Sequence, residues 1–192
     1  MMTQFISFEV FESERLIIRV PRPGDGLIFN EAVVESLQTL RPWLAWAAVP
    51  PTLEESEFSC RQAYAKFLLG EDLRVFFISK DDGVLVGGSG LHNPNWDLKQ
   101  FEVGYWGRSR YSKKGLITEG VKALVDHAFE KLDASRVYLT TDDANTESWR
   151  LAARAGFELE GTMRKDRLNL AGSLRDTRLY ARVNSTHTVL KT

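Results

Sequence analysis

The sequence holds one cysteine, Cys60, in 192 residues, so no internal disulfide can form. The three histidines, His92, His127 and His187, are scattered and give no cluster of metal-ligand spacing. No metal centre is expected, and Cys60 reads as a buried helix residue. No apolar run approaches the ~20 residues that a membrane span requires. The opening MMTQFISFEVFESER lacks the basic start, the apolar stretch and the small-residue cleavage site of an export signal, so a cytoplasmic protein is the expectation. Charge of one sign is missing too: 25 basic and 26 acidic side chains give a net −1, which argues against a nucleic-acid binder built on phosphate contacts. Repeats, low-complexity tracts and Gly/Ser linkers are absent, and the length suits one domain.

Hydrophobic residues at 43% and charged residues at 27% sit near the globular average. The charge is unevenly spread. Residues 1–72 carry 6 basic and 11 acidic side chains and residues 73–192 carry 19 and 15, so the second half is suited to an anion and the first to something basic.

Arg15 to Val20, RLIIRV, reads as a strand broken by Pro21, Pro23 and Gly24. A helix is predicted from Asp25 to about Leu40. A second follows, with Thr52 as cap, acids in its first turn, apolar positions at Phe58, Ala65 and Leu69, and Gly70 as stop. The period then becomes that of strands. LRVFFISKDDGVLVGGSGL is two apolar runs joined at Asp81, Asp82 and Gly83, a hairpin signal, and QFEVGYW places Phe101, Val103 and Tyr105 on one face with Glu102 and Trp106 on the other. A third helix buries Ile117, Val121, Leu124, Ala128 and Leu132; then come the strand RVYLTT, a short helix ending at Gly156, and two strands around a turn at Ala171 and Gly172. The order implies an α/β layered fold with a mixed sheet.

The third helix starts from the polar turn RYSKKGL. A helix N-terminus offers unpaired amides and a positive dipole end, and a small-residue turn lets an anion approach them. Gly115 can supply the turn while Lys113 and Lys114 add charge, but ordinary strand-to-helix turn chemistry explains the same residues. Asn145 and Ser148 form N-x-x-S at the short helix, where Asn is also a good cap. Glu102 is a strand carboxylate able to act as a base, or simply to face solvent. GGSGL is not a nucleophile elbow, since Leu91 stands where the second glycine belongs. Trp43 and Trp46, three residues apart, would share a helix face and suit core packing.

The segment from FEVGYWGRSRYSKKGLITEG to AARAGFELEGTMR resembles the core of the GNAT superfamily of acyl-CoA-dependent N-acyltransferases, in its RimJ/RimL-like branch. ESERLIIR, LRPWLAW, GGSGLHN and GSLRDTRLYA are similar to further segments of that branch in the same order, so the resemblance covers most of the chain. It implies a single domain over residues 1–192, with its core at about 13–183, and a mixed sheet of about seven strands flanked by about four helices. Acetyl-CoA is expected as co-substrate between the strand ending near Trp106 and the one starting at Arg136, which should splay. Pantetheine would then pair with main-chain groups of Val103, Gly104, Tyr105 and Trp106 as an added strand does. The pyrophosphate would meet the amides of Ser112, Lys113, Lys114, Gly115, Leu116, Ile117 and Thr118.

Here the chain departs from the family pattern: Ser112 replaces the usual Gln or Arg, Lys113 a common glycine, and Ile117 a small residue. A left-handed Lys113 would cost of order 1 kcal/mol. By the same resemblance Asn145 helps hold the pantetheine, Ser148 meets the departing sulfur, and Glu102 serves as general base with Asp166 in reserve. His92, Trp43 and Trp46 border the acceptor site. The expected reaction is direct attack of a primary amine on the thioester, most simply the N-terminal amine of a ribosomal or other protein, to which the acidic Glu54–Glu57 would be suited. A small-molecule amine (antibiotic, aminoacyl conjugate or polyamine) is the alternative acceptor. A CoA-binding sensor with little catalysis is the alternative of another class. The resemblance also allows a homodimer.

Overall fold

The computed structural model describes residues 8–169 and 172–185. Ala171, expected at the last turn, and His187 lie outside them. The elements are β1 (Val10–Glu12), β2 (Leu16–Arg19), α1 (Gly26–Leu40), α2 (Leu53–Leu69), β3 (Leu73–Ser79), β4 (Leu85–Asn95), β5 (Gln100–Gly107), α3 (Leu116–Lys131), β6 (Arg136–Asp142), α4 (Thr146–Arg154), β7 (Glu158–Leu168) and β8 (Leu174–Val183). Short 3-10 turns at Ala45–Ala47 and Ser109–Tyr111 complete them.

The strands form one eight-stranded sheet in the order β1-β2-β3-β4-β5-β6-β8-β7, antiparallel except between β5 and β6. The expected mixed α/β sheet is present, with one strand more than anticipated. The addition is β1, three residues too short to signal themselves, which pair with β2.

Helices cover both faces, and period-two alternation sorts the strand side chains between them. Val75 and Phe77 enter the core shared with α3, whereas Phe76 and Ile78 enter the one shared with α1. The α3 side buries Val121, Leu124 and Ala128, as its sequence spacing predicts. Helix α2 differs from the expectation. Its ends are as predicted: Thr52 and Glu55 make a reciprocal capping box, and Gly70 stops the helix in the left-handed region at φ 70°. Its buried stripe, however, is Ser56, Cys60, Ala63 and Phe67, while Phe58 and Leu69 are exposed and so is Ala65. The small residues of the stripe let α2 lie close over α1, whose Gly26 sits against Glu57, where a Cβ would come within 2.6 Å of the Glu57 Cα. Burial pushes the Cys60 thiol up to about 12, so it stays protonated.

Glu55 and Glu57, read with their neighbours as an acidic patch for a basic partner, are committed locally. Glu55 closes the capping box, and Glu57 accepts from the amides of Gly24 and Gly26 and from Arg61. Among the described residues no helix is long and apolar enough to cross a membrane.

The segment after β5 is anchored to α1 by a charge cluster. Arg108 is buried and donates to Glu35 at 2.9 Å, and Arg110 donates to the same carboxylate at 2.8 Å. The Arg110 hydrogen bond is the main cause holding Glu35 down to about 2, against the opposing effect of burial, with Arg108 adding to it. Because the folded state depresses this pKa, the resulting stability is complete above the ordinary 4.5 and is lost as pH falls toward about 2. Glu35→Gln is expected to lower unfolding free energy by about 1–3 kcal/mol at neutral pH, since a buried guanidinium loses its counter-charge. Denaturant melts between pH 5 and 2 should then show a shallower acid dependence in the variant than in the parent protein.

Candidate active site

Parallel pairing of β5 with β6 joins Gln100 to Arg136, Phe101 to Val137 and Glu102 to Tyr138, and goes no further. Beyond Glu102 the two strands part. On its other side β5 stays paired with β4 as far as Gly107, and the Arg108 amide still donates to Val86 O. Alternation therefore turns the main-chain groups of Val103 and Tyr105 into the opening, and those of Gly104 and Trp106 toward β4. The splay expected from sequence is present, and two of the four residues expected to present main-chain groups there do so.

Glu102 stands where the strands part, with Oε2 accepting from Asn93 Nδ2 at 2.9 Å and Oε1 from Thr140 Oγ1 at 3.2 Å. Asn145 caps α4 by accepting from the Ser148 amide at 3.2 Å. Across the opening the Tyr105 hydroxyl donates to Ser148 O at 2.8 Å and lies 3.1 Å from Ser148 Oγ, which ties α4 to β5. Burial is the first cause raising the Tyr105 phenol to about 12, so it serves as a donor rather than as an anion. Asp166 is exposed on β7, with β6 and β8 between it and β5, and is not brought to this site.

The start of α3 lies beyond the open end of β5. Both Lys113, at φ 59°, and Gly115, at φ 79°, are left-handed, and Gly115 is the residue that caps α3. Lys113 thus adopts the conformation for which glycine is better suited. The bulk of Ile117 is accommodated by two glycines: its Cδ1 lies 2.6 Å from where a Gly87 Cβ would be, and its Cγ1 3.0 Å from that of Gly107. The side chain is tucked against the sheet.

Arg15, which nothing in its local sequence marked out, fastens the turn. It donates through Nε to Glu119 and through Nη1 to Lys114 O at 3.1 Å, while Ser13 and the Arg15 amide also donate to Glu119. The early-turn Glu119 pairing with a residue 104 positions away is the part no sequence window could show.

On the α1/α2 face a cavity of about 440 Å³ reaches the same stretch of β5, at Gly104, Tyr105 and Trp106. Phe29, Leu44 and Trp46 wall it, with the Trp46 ring edge-on to Trp106 at 6.2 Å. Trp46 is 51% exposed and Trp43 39%, so core packing, expected for the pair, holds for neither, and Trp46 alone of the two lines the cavity. The chain turns at Arg41–Pro42 instead of continuing α1, which removes the shared helix face. His92 also lines the cavity, with Nδ1 2.7 Å from Asp72 Oδ1.

A three-pair parallel contact, a left-handed turn at a helix start beyond it, and a separate cavity meeting the same strand lie together around the open end of β5. The profile of the family described as "Acetyltransferase (GNAT) domain" matches residues 15–158. The chain belongs to the GNAT superfamily, in its RimJ/RimL-like branch. It is 30% identical over 173 residues to the Bacillus subtilis (strain 168) protein named "Putative ribosomal N-acetyltransferase YdaF", covering 88% of this chain and 91% of that one. The ribosomal-protein-serine acetyltransferase of Escherichia coli (strain K12) is 29% identical over 57% of this chain and 60% of its own length. RimL, a ribosomal L7/L12 alpha-N-protein acetyltransferase solved with coenzyme A, superposes with a TM-score of 0.84 at 20% identity, over 91% of this chain and 98% of that one. This chain therefore has the architecture of a GNAT acetyltransferase.

Arg15→Met should loosen the α3 turn without unfolding the sheet. Because the ion pair is half exposed, the expected stability loss is about 1 kcal/mol or less, a few degrees in Tm, and amide exchange should quicken at Lys114 to Ile117.

Proposed function

We propose that the chain is a single-domain N-acetyltransferase that moves an acetyl group from acetyl-CoA to the N-terminal amine of a protein. The observation that carries this reading is the opening beside β5. Free main-chain groups of Val103 and Tyr105 face it from one side, and the acceptor cavity reaches the same strand from the other at Gly104, Tyr105 and Trp106. In this reading the two main-chain groups hold the pantetheine as an added strand would, and the Lys113–Thr118 turn receives the pyrophosphate. Unpaired first-turn amides and two lysines suit that anion. Acetyl-CoA supplies an activated thioester.

The residues of the chain do the rest. An amide in the Val103–Tyr105 stretch polarises the thioester carbonyl. Ser148, whose Oγ lies 3.1 Å from the Tyr105 hydroxyl, meets the sulfur. A thiol of ordinary pKa ~8.5 leaves readily, so Ser148→Ala should slow turnover severalfold without abolishing it.

An N-terminal amine, with a pKa of about 8, needs less help to become neutral than a lysine at about 10.4, which favours it as acceptor. The ribosomal-protein names of the relatives point the same way. The cavity volume suits the end of a peptide, and also a free small amine, which is the second acceptor reading.

Titration with acetyl-CoA followed by thiol-release assays on N-terminal peptides of ribosomal proteins and on small amines tests the proposal. Micromolar binding with turnover of peptides is expected; preference for a small amine would replace the acceptor, and binding without any turnover would leave a CoA-binding module. Gly115→Pro should weaken acetyl-CoA binding at least tenfold while the far-ultraviolet spectrum is unchanged, because proline cannot adopt φ 79° and removes an amide. Unchanged affinity would place the pyrophosphate elsewhere.

A further inference from the structure

The cavity contains a side-chain pair that the reading above leaves without a task. His92 comes from β4, and Asp72 is the residue just before β3. Their contact fixes the ring: Nδ1 meets Asp72 Oδ1 at 2.7 Å, and among the described residues Nε2 has no hydrogen-bond partner.

The sheet has been cleared beneath that ring. Nε2 lies 2.9 Å from where a Cβ on Gly90 would be and 3.4 Å from that on Gly104, and Gly90 and Gly104 are partners across β4 and β5. Alanine at Gly90 would collide with the ring at 2.6 Å. Two paired strands thus carry glycine where one imidazole lies flat, and the ring leans along β4 toward Gly104. Gly104 sits between Val103 and Tyr105, the residues facing the opening where the thioester is expected. Glu102, opposite His92 on β5, is directed to Asn93 and Thr140 and is not part of the cavity wall.

We propose that His92, oriented by Asp72, is the general base that takes the proton from the acceptor amine in the cavity. This rests on the acetyltransferase reading above. Asp72 accepts from Nδ1–H and so leaves the Nε2 lone pair toward the amine. Nε2 removes one proton from nitrogen. The nitrogen lone pair forms the new C–N bond, and the electrons of the broken C–S bond leave with sulfur, which takes up a proton by way of Ser148 or solvent; the imidazolium returns its own proton to water. Asp72 is a positioning residue, and His92 is the catalytic one.

Other charges face the pair from each packed element. Arg74 on β3 lies 3.8 Å from Asp72, Glu55 on α2 lines the cavity, Lys66 on α2 acts on Asp72 at longer range, and Glu102 faces His92 from β5. Burial raises the Asp72 pKa, but the His92 hydrogen bond and the surrounding cations outweigh it and hold the carboxyl below the usual range. The aspartate is therefore an anion wherever the imidazole is asked to accept a proton.

The experiment combines pH–rate profiles at saturating acetyl-CoA with nitrogen-15 spectra of the histidine rings. His92→Gln is expected to lower kcat/KM for the amine about 10²-fold or more and to remove the acid limb, with acetyl-CoA affinity unchanged. Asp72→Ala should lower kcat/KM for the amine and release the ring from its Nδ1-protonated form, and Glu102→Gln should keep the acid limb. In the wild-type protein the neutral His92 ring, assigned by its absence from His92→Gln spectra, should carry its proton on Nδ1. An acid limb that survives in His92→Gln or disappears in Glu102→Gln would overturn the assignment, as would a ring protonated on Nε2. The ring spectrum is read without turnover, so it decides the orientation even if a variant folds poorly. A wild-type protein that neither binds acetyl-CoA nor acetylates any amine removes the functional reading itself; turnover with an unaltered profile in His92→Gln removes only the base.

Discussion

Three residue pairs of parallel β5–β6 contact, followed by none, are the constraint on which the rest of the site depends. A paired strand has no free main-chain groups to offer. Because β6 turns away after Tyr138 while β4 keeps β5 straight to Gly107, Val103 and Tyr105 present amides and carbonyls that remain available in a folded protein. Each neighbouring feature serves that opening. Tyr105 bridges it to Ser148 at the start of α4, Glu102 stands at its closed end between Asn93 and Thr140, and the α3 turn lies beyond its open end.

Glycine shapes both approaches to the opening by leaving side chains out. Gly87 and Gly107 make room for Ile117, so a bulky residue at the start of α3 packs downward. Gly88 lies under the Trp106 indole, whose Nε1 would be 2.8 Å from a Cβ there, and Gly90 and Gly104 lie under His92. The rings can then lie along the sheet and wall a cavity instead of filling it. The loop ahead of α3 carries a different strain. Lys113 is left-handed where glycine would be easier, and it is held there between the Arg108–Glu35–Arg110 cluster on one side and the Arg15 contact to Lys114 on the other. Those contacts offset a conformational cost of order 1 kcal/mol.

Much of the fold could be read from the chain because its signals are local. Thr52 with Glu55, Gly70, the Asp81–Gly83 hairpin and the repeat of Val121, Leu124 and Ala128 each act within one or two turns of backbone. The order of segments from Arg15 to the last strand led to the right superfamily. Reading was less successful where burial depends on a distant neighbour. Phe58 and Leu69 are exposed on α2, and the stripe that packs is Ser56, Cys60, Ala63 and Phe67, with α1 approaching closely enough at Gly26 that a Cβ there would meet Glu57. Trp43 and Trp46 are exposed for a related reason: Pro42 breaks the helix that would have aligned them.

The sequence by itself determined the elements other than β1, the mixed sheet and the stretches of β5, α3 and α4 that lie around the opening, since hydrophobic period, caps and turns are written in neighbouring residues. Tertiary structure alone decided which side chains share a site. Arg15 meets Glu119, Tyr105 meets Ser148, and His92 meets Asp72 across separations of 104, 43 and 20 residues. Such pairs are set by strand order and register, and a register is a relation between segments that neither segment carries alone.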